Sequence, residues 1–371
     1  MGANDPVTLD PALAALVERV RAARDANTPL EIRGGGSKRF YGEAPRGEPL
    51  DVTPLAGISS YEPTELVVSA RAGTPLAQLE AALAERGQCL PFEPPRFTGA
   101  TTVGGMVAAG LAGPARATRG GVRDYVLGAS LLNGRGEVLS FGGQVMKNVA
   151  GYDVSRLLAG SMGVLGVILE VSLKVLPMAP ATATLRFDLD EADALERLNR
   201  WAGQPLPLDA SAWWAGALVV RLAGARAAVD AAAKALGGEV IDPALAAGFW
   251  RGLRDHGDDF FVGARQAVES AGDARLWRLA LPPTAPPLAL SGEQLIEWGG
   301  AQRWWCTAAP VAQVREAAAR AGGHAVLFRA QDKSCGVFLS LTPPLDRIHR
   351  ELKRAFDPAG VLNPGRLYPG L

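Results

Sequence analysis

The sequence predicts an α+β protein of two domains, and three observations carry that expectation. Glycine clusters between short strand-like runs fill the first half, near residues 33–38, 101–113 and 151–168. After Pro177 these clusters thin out and alanine-rich helical patterns take over, from MAPATATLRF onward. A charged helix pattern then leads into a tail reading NPGRLYPGL. The expected division is a first domain at 1–178, a smaller α+β domain at 179–340 and a closing segment at 341–371. A chain of 371 residues has room for two or three domains of roughly 100–200 residues each, with cores that need no disulfide.

The elements follow in order. Leu13, Leu16, Val17 and Val20 recur at helical spacing, which predicts an amphipathic helix over 9–26. Glu31-Ile32-Arg33 reads as a short strand running into glycines, and ELVVSA at 65–70 as a second strand. Thr74-Pro75 opens a helix that continues through Arg86, with Thr74 as N-cap and Gly87 as its stop. Strands at 124–132 and 137–141 are joined by Asn133-Gly134-Arg135-Gly136, a hairpin signal. VLGVILEVSLKV at 164–175 is rich in β-branched residues and predicts another strand. Further on, 217–222 reads as a strand, 225–236 as a helix, proline-rich 281–288 as a connector and 345–356 as a final helix.

Composition excludes several classes. Cys89, Cys306 and Cys335 are far apart and form no CxxC pair, which argues against an iron–sulfur cluster or structural zinc held by this chain. Their scarcity fits a reducing compartment. Formal net charge is zero and no Lys/Arg run stands out, so no nucleic-acid partner is expected. The first twenty residues lack a basic n-region and a long apolar core, and no window of about 20 residues is apolar enough to span a bilayer. The expectation is a cytoplasmic protein that meets a membrane peripherally, through partners.

The glycine clusters carry the chemistry. In Arg33-Gly34-Gly35-Gly36-Ser37-Lys38, three glycines after a strand let successive backbone N–H groups face one anion, most often a phosphate. No GK[ST] follows at Walker spacing and no GxGxxG is present. A tight surface turn would read the same way. The second cluster, Thr101-Thr102-Val103-Gly104-Gly105 with Gly110 and Gly113, leaves no side chain between backbone and a ligand, although close helix packing also explains it. The third, Gly151-Tyr152-Asp153 and Gly160 to Ile168, offers bare backbone to a flat ring or simply precedes a buried strand.

Taken together, RGGGS, ATTVGG and KNVAGYDVSRLLAGSMGVLGVILEVSLKVLP resemble the flavin domain of the vanillyl-alcohol-oxidase and D-lactate-dehydrogenase type of FAD-binding family. The resemblance covers about residues 25–180 and resumes at FDPAGVLNPG, 356–365. It implies a two-lobed FAD-binding domain split near residue 55, to which the closing segment returns. It also implies that Arg33, Gly34, Gly35, Gly36, Ser37 and Lys38 wrap the FAD pyrophosphate, and that Thr101, Thr102, Gly104, Gly105 and Gly113 line the diphosphate and ribityl chain. Gly166, Val167 and Ile168 would present backbone to the flavin, and Asn363 would close the pocket near the ring. Many members carry a histidine that bonds covalently to the flavin just after the first glycine run. Here that position is Ser37, which implies dissociable FAD. Met106 and Gly110-Leu111-Ala112 also depart from the family pattern.

The family's 2-hydroxyacid dehydrogenases need a base for the substrate hydroxyl and often a histidine-bound metal. This chain has His256, His324 and His349, with no HxH or HxxH, so no metal is expected and no catalytic residue is assigned. His349 reads as a solvated helix residue, His256 in RDHGDDF as a loop histidine, Asp258-Asp259 as a solvated turn and His324 as structural. Trp213-Trp214 and Trp304-Trp305 read as core packing or as stacking surfaces, and Arg303 or Arg329 could hold a carboxylate. The resemblance extends to FAD-binding subunits of bacterial glycolate oxidases. It implies a complex with a catalytic flavoprotein subunit and an iron–sulfur subunit, acting on a small 2-hydroxyacid. A self-sufficient FAD dehydrogenase for a 2-hydroxyacid or sugar alcohol, and a flavin-free assembly scaffold, are the alternatives.

Overall fold

A computed structural model describes residues 10–143, 153–270 and 272–371. Gly151 and Tyr152 of the third cluster lie outside the described residues. The chain opens with the helix Pro11–Ala26, which Asp10 caps by accepting from Ala12 N at 2.9 Å. Its apolar stripe, Leu16, Val17, Val20 and Ala23, packs on the short parallel pair Leu30–Arg33 and Glu48–Asp51. The same core takes Leu132, Val167 and Leu169 from the back of a larger sheet and Val361 and Leu362 from the closing segment.

That larger sheet has five strands in the order Ile58–Glu62, Val67–Arg71, Val167–Lys174, Val126–Leu132 and Val138–Gly142, all antiparallel. The predicted hairpin is present: Leu132 pairs with Val138, and Asn133 Oδ1 accepts from Arg135 N and Glu137 N at the turn. Its first strand begins at Val126 rather than 124, because Asp124 sits in a helical turn and accepts from Gly121 N at 2.8 Å. The front of the sheet is covered by the helices Leu76–Ala84 and Val103–Ala109, through Leu76, Leu79, Leu83, Val103, Met106 and Val107. Thr74 is not the cap of the first of these. Its hydroxyl is committed to Gly57, accepting from its N–H at 2.9 Å and donating to its carbonyl at 3.0 Å.

Eight antiparallel strands between Ala181 and Arg329 form a second sheet. Side chains alternate across it. Trp305 joins Trp277 and the helix Val311–Arg320 on one face, whereas Trp304 joins the helices Pro243–Asp255 and Asp259–Ser270 on the other. The core around Trp304 continues into Tyr41, Leu111 and Met162 and the end of the helix Val103–Ala109 at Ala109, so this face of the second sheet is joined to the loops of the first half through packed side chains. An ionic seam runs beside this contact: Asp209 takes both Arg119 and Arg221, and Arg221 reaches Glu93 at 2.7 Å. The connector at 281–288 is pinned by Arg303, which is fully buried and donates to the carbonyls of Ala285 and Pro286. Arg303 also lies 3.6 Å from Glu191, so it is held inside the protein by its own carboxylate and the connector.

The closing helix Pro343–Phe356 brings the chain back to the first core. Buried Lys353 donates to Asp357 Oδ2 at 2.7 Å, Val164 O at 2.9 Å and Leu362 O at 2.7 Å, and Asp357 Oδ2 also accepts from Leu362 N. A buried charge is tolerated when paired and fully hydrogen-bonded, as here.

Candidate functional site

The first glycine cluster follows the strand Leu30–Arg33 and turns back on itself, with Gly36 at φ +70°. Its close approach to the second cluster explains the glycines. A Cβ on Gly34 would lie 2.4 Å from Thr102 Oγ1, and one on Gly35 would lie 1.4 Å from Ala100 O. Thr101 ties the two loops together by donating to Ser37 Oγ at 2.8 Å. Among the described residues, no protein group accepts from the backbone N–H groups of Gly34, Gly35, Gly36, Ser37 or Lys38. A row of unpaired donors at a concave turn is an anion receptor.

These loops form one wall of a cleft enclosing about 830 Å³, part of it open to solvent. Arg33, Gly34, Gly35, Gly36, Ser37, Lys38, Thr102, Gly104, Gly105, Gly166, Ile168 and Asn363 all line it. The structure places three expected residues elsewhere. Thr101 is buried behind the wall, holding Ser37 and Thr98 O. Val167 points into the first core, because alternation along its strand turns Gly166 and Ile168 to the cleft and Val167 away from it. Gly113 packs against Glu93, and its carbonyl accepts at 3.0 Å from Trp298 Nε1, which follows a strand of the second sheet.

Asn363 lines the cleft as a clamp. Its Oδ1 accepts from Ile32 N and its Nδ2 donates to Met162 O, both at 2.7 Å. The reading of single motifs missed Glu31, Ile32, Arg39, Val52, Ala72, Ala108, Ala109, Met162, Gly163 and Arg366, which complete the lining. Ala108, Ala109, Met162 and Gly163 lie inside glycine clusters already visible in the sequence and Arg366 directly follows the closing motif, whereas Val52 and Ala72 carry no local signal. Buried Arg366 donates to the carbonyls of Arg39 and Glu43 and shores up the first loop from below, and burial pulls its pKa down to about 10.

The charges facing the cleft are mostly cationic. Glu31, its one carboxylate, is paired with Arg39 at 2.7 Å, and that hydrogen bond holds it below its ordinary pKa. Lys38 is buried, with its Nζ 5.4 Å from the centre of the Phe97 ring and no carboxylate within ion-pair range among the described residues. Burial pulls its pKa down to about 8, against a weak opposing pull from Asp255.

No histidine reaches the cleft. His256 sits in the turn between two helices, as expected, but it is buried there, stacked at 3.5 Å on Phe261 and edge-on to Trp304, and burial drives its pKa well below 6.5. Asp258 is half-buried and caps the next helix by accepting from Phe261 N at 3.1 Å, so it is not a solvated turn residue. His324 opens an edge strand, and His349 Nδ1 meets Leu345 O on the closing helix. Arg329 lies 3.4 Å over the Phe40 ring, outside the cleft lining. Among the described residues, no group of His, Cys, Asp and Glu could hold a metal ion.

A cleft walled by unpaired amides, bare glycine backbone and a desolvated lysine suits a dinucleotide's diphosphate. Residues 12–142 match a family model described as "FAD binding domain". The chain is 47% identical over 357 residues to "Glycolate oxidase subunit GlcE" of Escherichia coli, covering 96% of this chain and 97% of that protein. The chain belongs to the GlcE family of FAD-binding proteins. FAD is its cofactor, and its chemistry is that of a flavoprotein oxidoreductase. A D-lactate dehydrogenase of Archaeoglobus fulgidus is 32% identical over 165 residues, or 43% of this chain and 35% of that one. "Glycolate oxidase subunit GlcD" of Bacillus subtilis is 29% identical over 168 residues, or 45% of this chain and 36% of that one. A solved alkyldihydroxyacetonephosphate synthase superposes with a TM-score of 0.66 at 14% identity, over 94% of this chain and 74% of that one, which shows the shared fold. Among the described residues, no helix is long and apolar enough to cross a membrane.

Proposed function

We propose that this GlcE-family chain is the FAD-binding subunit of a glycolate oxidase complex, in which its flavin relays electrons from a catalytic flavoprotein subunit to an iron–sulfur subunit. The overall reaction removes two electrons and two protons from glycolate and yields glyoxylate. One observation carries the relay role: the cleft is lined by residues 31–39, 52, 72, 102, 104, 105, 108, 109, 162, 163, 166, 168, 363 and 366, with none from the second sheet. No histidine or unpaired carboxylate stands in that lining to take the hydroxyl proton of a substrate. Bound FAD supplies two-electron uptake and one-electron release. The chain's own groups hold it: the N–H row from Gly34 to Lys38 and the Lys38 ammonium face the diphosphate, while Gly104, Gly105, Gly163 and Gly166 offer flat backbone. With Ser37 in place of a covalent histidine, the cofactor dissociates. In this reading the flavin domain takes 1–178 and 341–371 and the second domain 179–340, and the complex sits in the cytoplasm, touching the inner membrane through its partners.

A second reading has a specific motive. A lysine tuned to about 8 lies in the range that suits a general base, so Lys38 could serve a self-sufficient 2-hydroxyacid dehydrogenase. Anaerobic mixing of the purified holoprotein with glycolate or D-lactate separates the two. The relay reading expects the flavin band to persist until a reduced partner is added. Bleaching by substrate alone, abolished in Lys38→Met, establishes the second reading. Acid precipitation is expected to leave yellow flavin in the supernatant, and flavin retained in the pellet refutes the dissociable site.

A further inference from the structure

A second groove lies directly behind the cofactor cleft. The segment 160–166 separates them: Met162, Gly163 and Gly166 line the cleft, while Gly160, Ser161, Val164 and Leu165 line the groove. The far wall of the groove is the closing helix, through His349, Leu352 and Lys353. Lys353 makes this wall rigid, since its ammonium spans from Asp357 to the carbonyls of Val164 and Leu362.

The groove opens onto an apolar strip. Leu345, Ile348 and Leu352 follow one another at helical spacing, and Leu157 lines the groove together with Leu352. Ile348 is 50% exposed, Leu345 48% and Leu157 40%. The other charges of the helix are mutually satisfied, Asp346 with Arg350 and Glu351 with Arg354. Two exposed cations at the margins, Arg123 and Arg347, have no carboxylate partner among the described residues. An apolar strip rimmed by uncommitted arginines fits a protein surface with an apolar centre and carboxylates at its edge. It fits a lipid surface poorly, because a membrane-lying helix exposes a broader apolar face and more free cations.

We infer that this groove is where the electron-accepting subunit docks, presenting an apolar, carboxylate-rimmed patch, with its one-electron carrier facing the back of the flavin cleft across a single thickness of chain. The inference rests on the subunit reading above. It adds the face through which electrons leave and the chemistry of the surface that receives them.

The test co-expresses this chain with the catalytic flavoprotein and iron–sulfur subunits and purifies through a tag on this chain. Ile348→Asp and Leu157→Asp are expected to lose the iron–sulfur subunit at least tenfold while keeping FAD content and melting temperature. Leu245→Asp, at a residue 70% exposed on the second domain, is expected to keep it. Charge reversal at Arg347→Glu is expected to weaken capture and to make it less sensitive to salt. Retention of the iron–sulfur subunit within twofold by both Ile348→Asp and Leu157→Asp overturns the docking face. So does a homodimer of this chain that Ile348→Asp dissolves, or binding of the lone chain to phosphatidylglycerol vesicles that the same change abolishes. A wild-type chain that captures no subunit at all refutes the complex itself, a result distinct from a complex whose surface variants remain assembled.

Discussion

In the proposed site the Lys38 ammonium faces the FAD diphosphate, which couples cofactor binding to pH. Its ammonium is buried between the Phe97 ring and Ser37 Oγ, lacks a carboxylate partner among the described residues, and has its pKa pulled down to about 8 by desolvation. The diphosphate of FAD favours the charged form, so bound cofactor raises that pKa. Affinity is therefore full below pH 8 and falls as the free site loses its proton above it. At pH 9 roughly one free site in eleven is charged, which predicts about a tenfold weaker affinity, or about 1.4 kcal/mol. Lys38→Met removes the slope, and at pH 7 it weakens binding by about 1.5–3 kcal/mol, the worth of a hydrogen bond to a charged group. The free protein responds with the opposite sign. A lysine whose folded pKa lies below its unfolded value destabilises the fold until pH passes through that window. Apoprotein stability should therefore rise between about pH 8 and 10.5, and Lys38→Met apoprotein should melt higher than wild type at pH 7. Titration of apoprotein with FAD, followed by flavin fluorescence from pH 6.5 to 9.5, measures the first effect, and calorimetry measures the second. A flat wild-type profile, or an unchanged slope in Lys38→Met, refutes the placement of this charge against the diphosphate.

Gly35→Ala should drive the first two loops apart, since its Cβ would stand 1.4 Å from Ala100 O; a loss of about 1–3 kcal/mol and at least a hundredfold weaker FAD binding are expected in thermal melts and cofactor titration. Lys353→Met leaves the buried Asp357 carboxylate without its cation and should cost about 3–5 kcal/mol in urea unfolding, and a loss below about 1 kcal/mol contradicts the assignment. Glu297 is fully enclosed. Burial raises its pKa to about 7, although Trp304 Nε1 and Gln302 Nε2 donate to it. A raised folded pKa means that stability declines as pH climbs from about 4.5 to 7. Glu297→Gln should flatten that decline and stabilise the protein by up to about 3 kcal/mol above pH 7, read from melting temperatures between pH 5 and 8.

The elements that the sequence disclosed are those whose signals are local. The helix at Pro11–Ala26, the hairpin around Asn133 and the strand Val167–Lys174 each carry their periodicity and turn chemistry within a dozen residues. Glu48–Asp51 was invisible because EPLD has neither alternation nor a β-branched residue. It becomes a strand only because Leu30–Arg33 lies alongside it. Thr74 misled for a related reason: a hydroxyl beside Pro75 looks like a cap, but a tertiary contact with Gly57 claims it. His256 is the turn residue its polar sequence predicts, but its burial has no local signal, because Trp304, Phe97 and Phe328 converge on it from distant parts of the chain. At the cleft, glycine spacing located the walls well. The exclusion of Val167 was available from strand alternation alone, whereas the displacement of Gly113 depended on Trp298, a partner distant in sequence.

The clamp at Asn363 fixes a timetable for biogenesis. Ile32 and Asn363 are 331 positions apart, yet their hydrogen bond joins the first loop to the floor of the cleft. A nascent chain can fold its second sheet and display its glycine turns long before that tie exists. It cannot shut the cleft until residues 357–366 have left the ribosome. Cofactor capture should therefore be a late event, and polypeptides stalled upstream of Asp357 should emerge colourless however well the rest has folded.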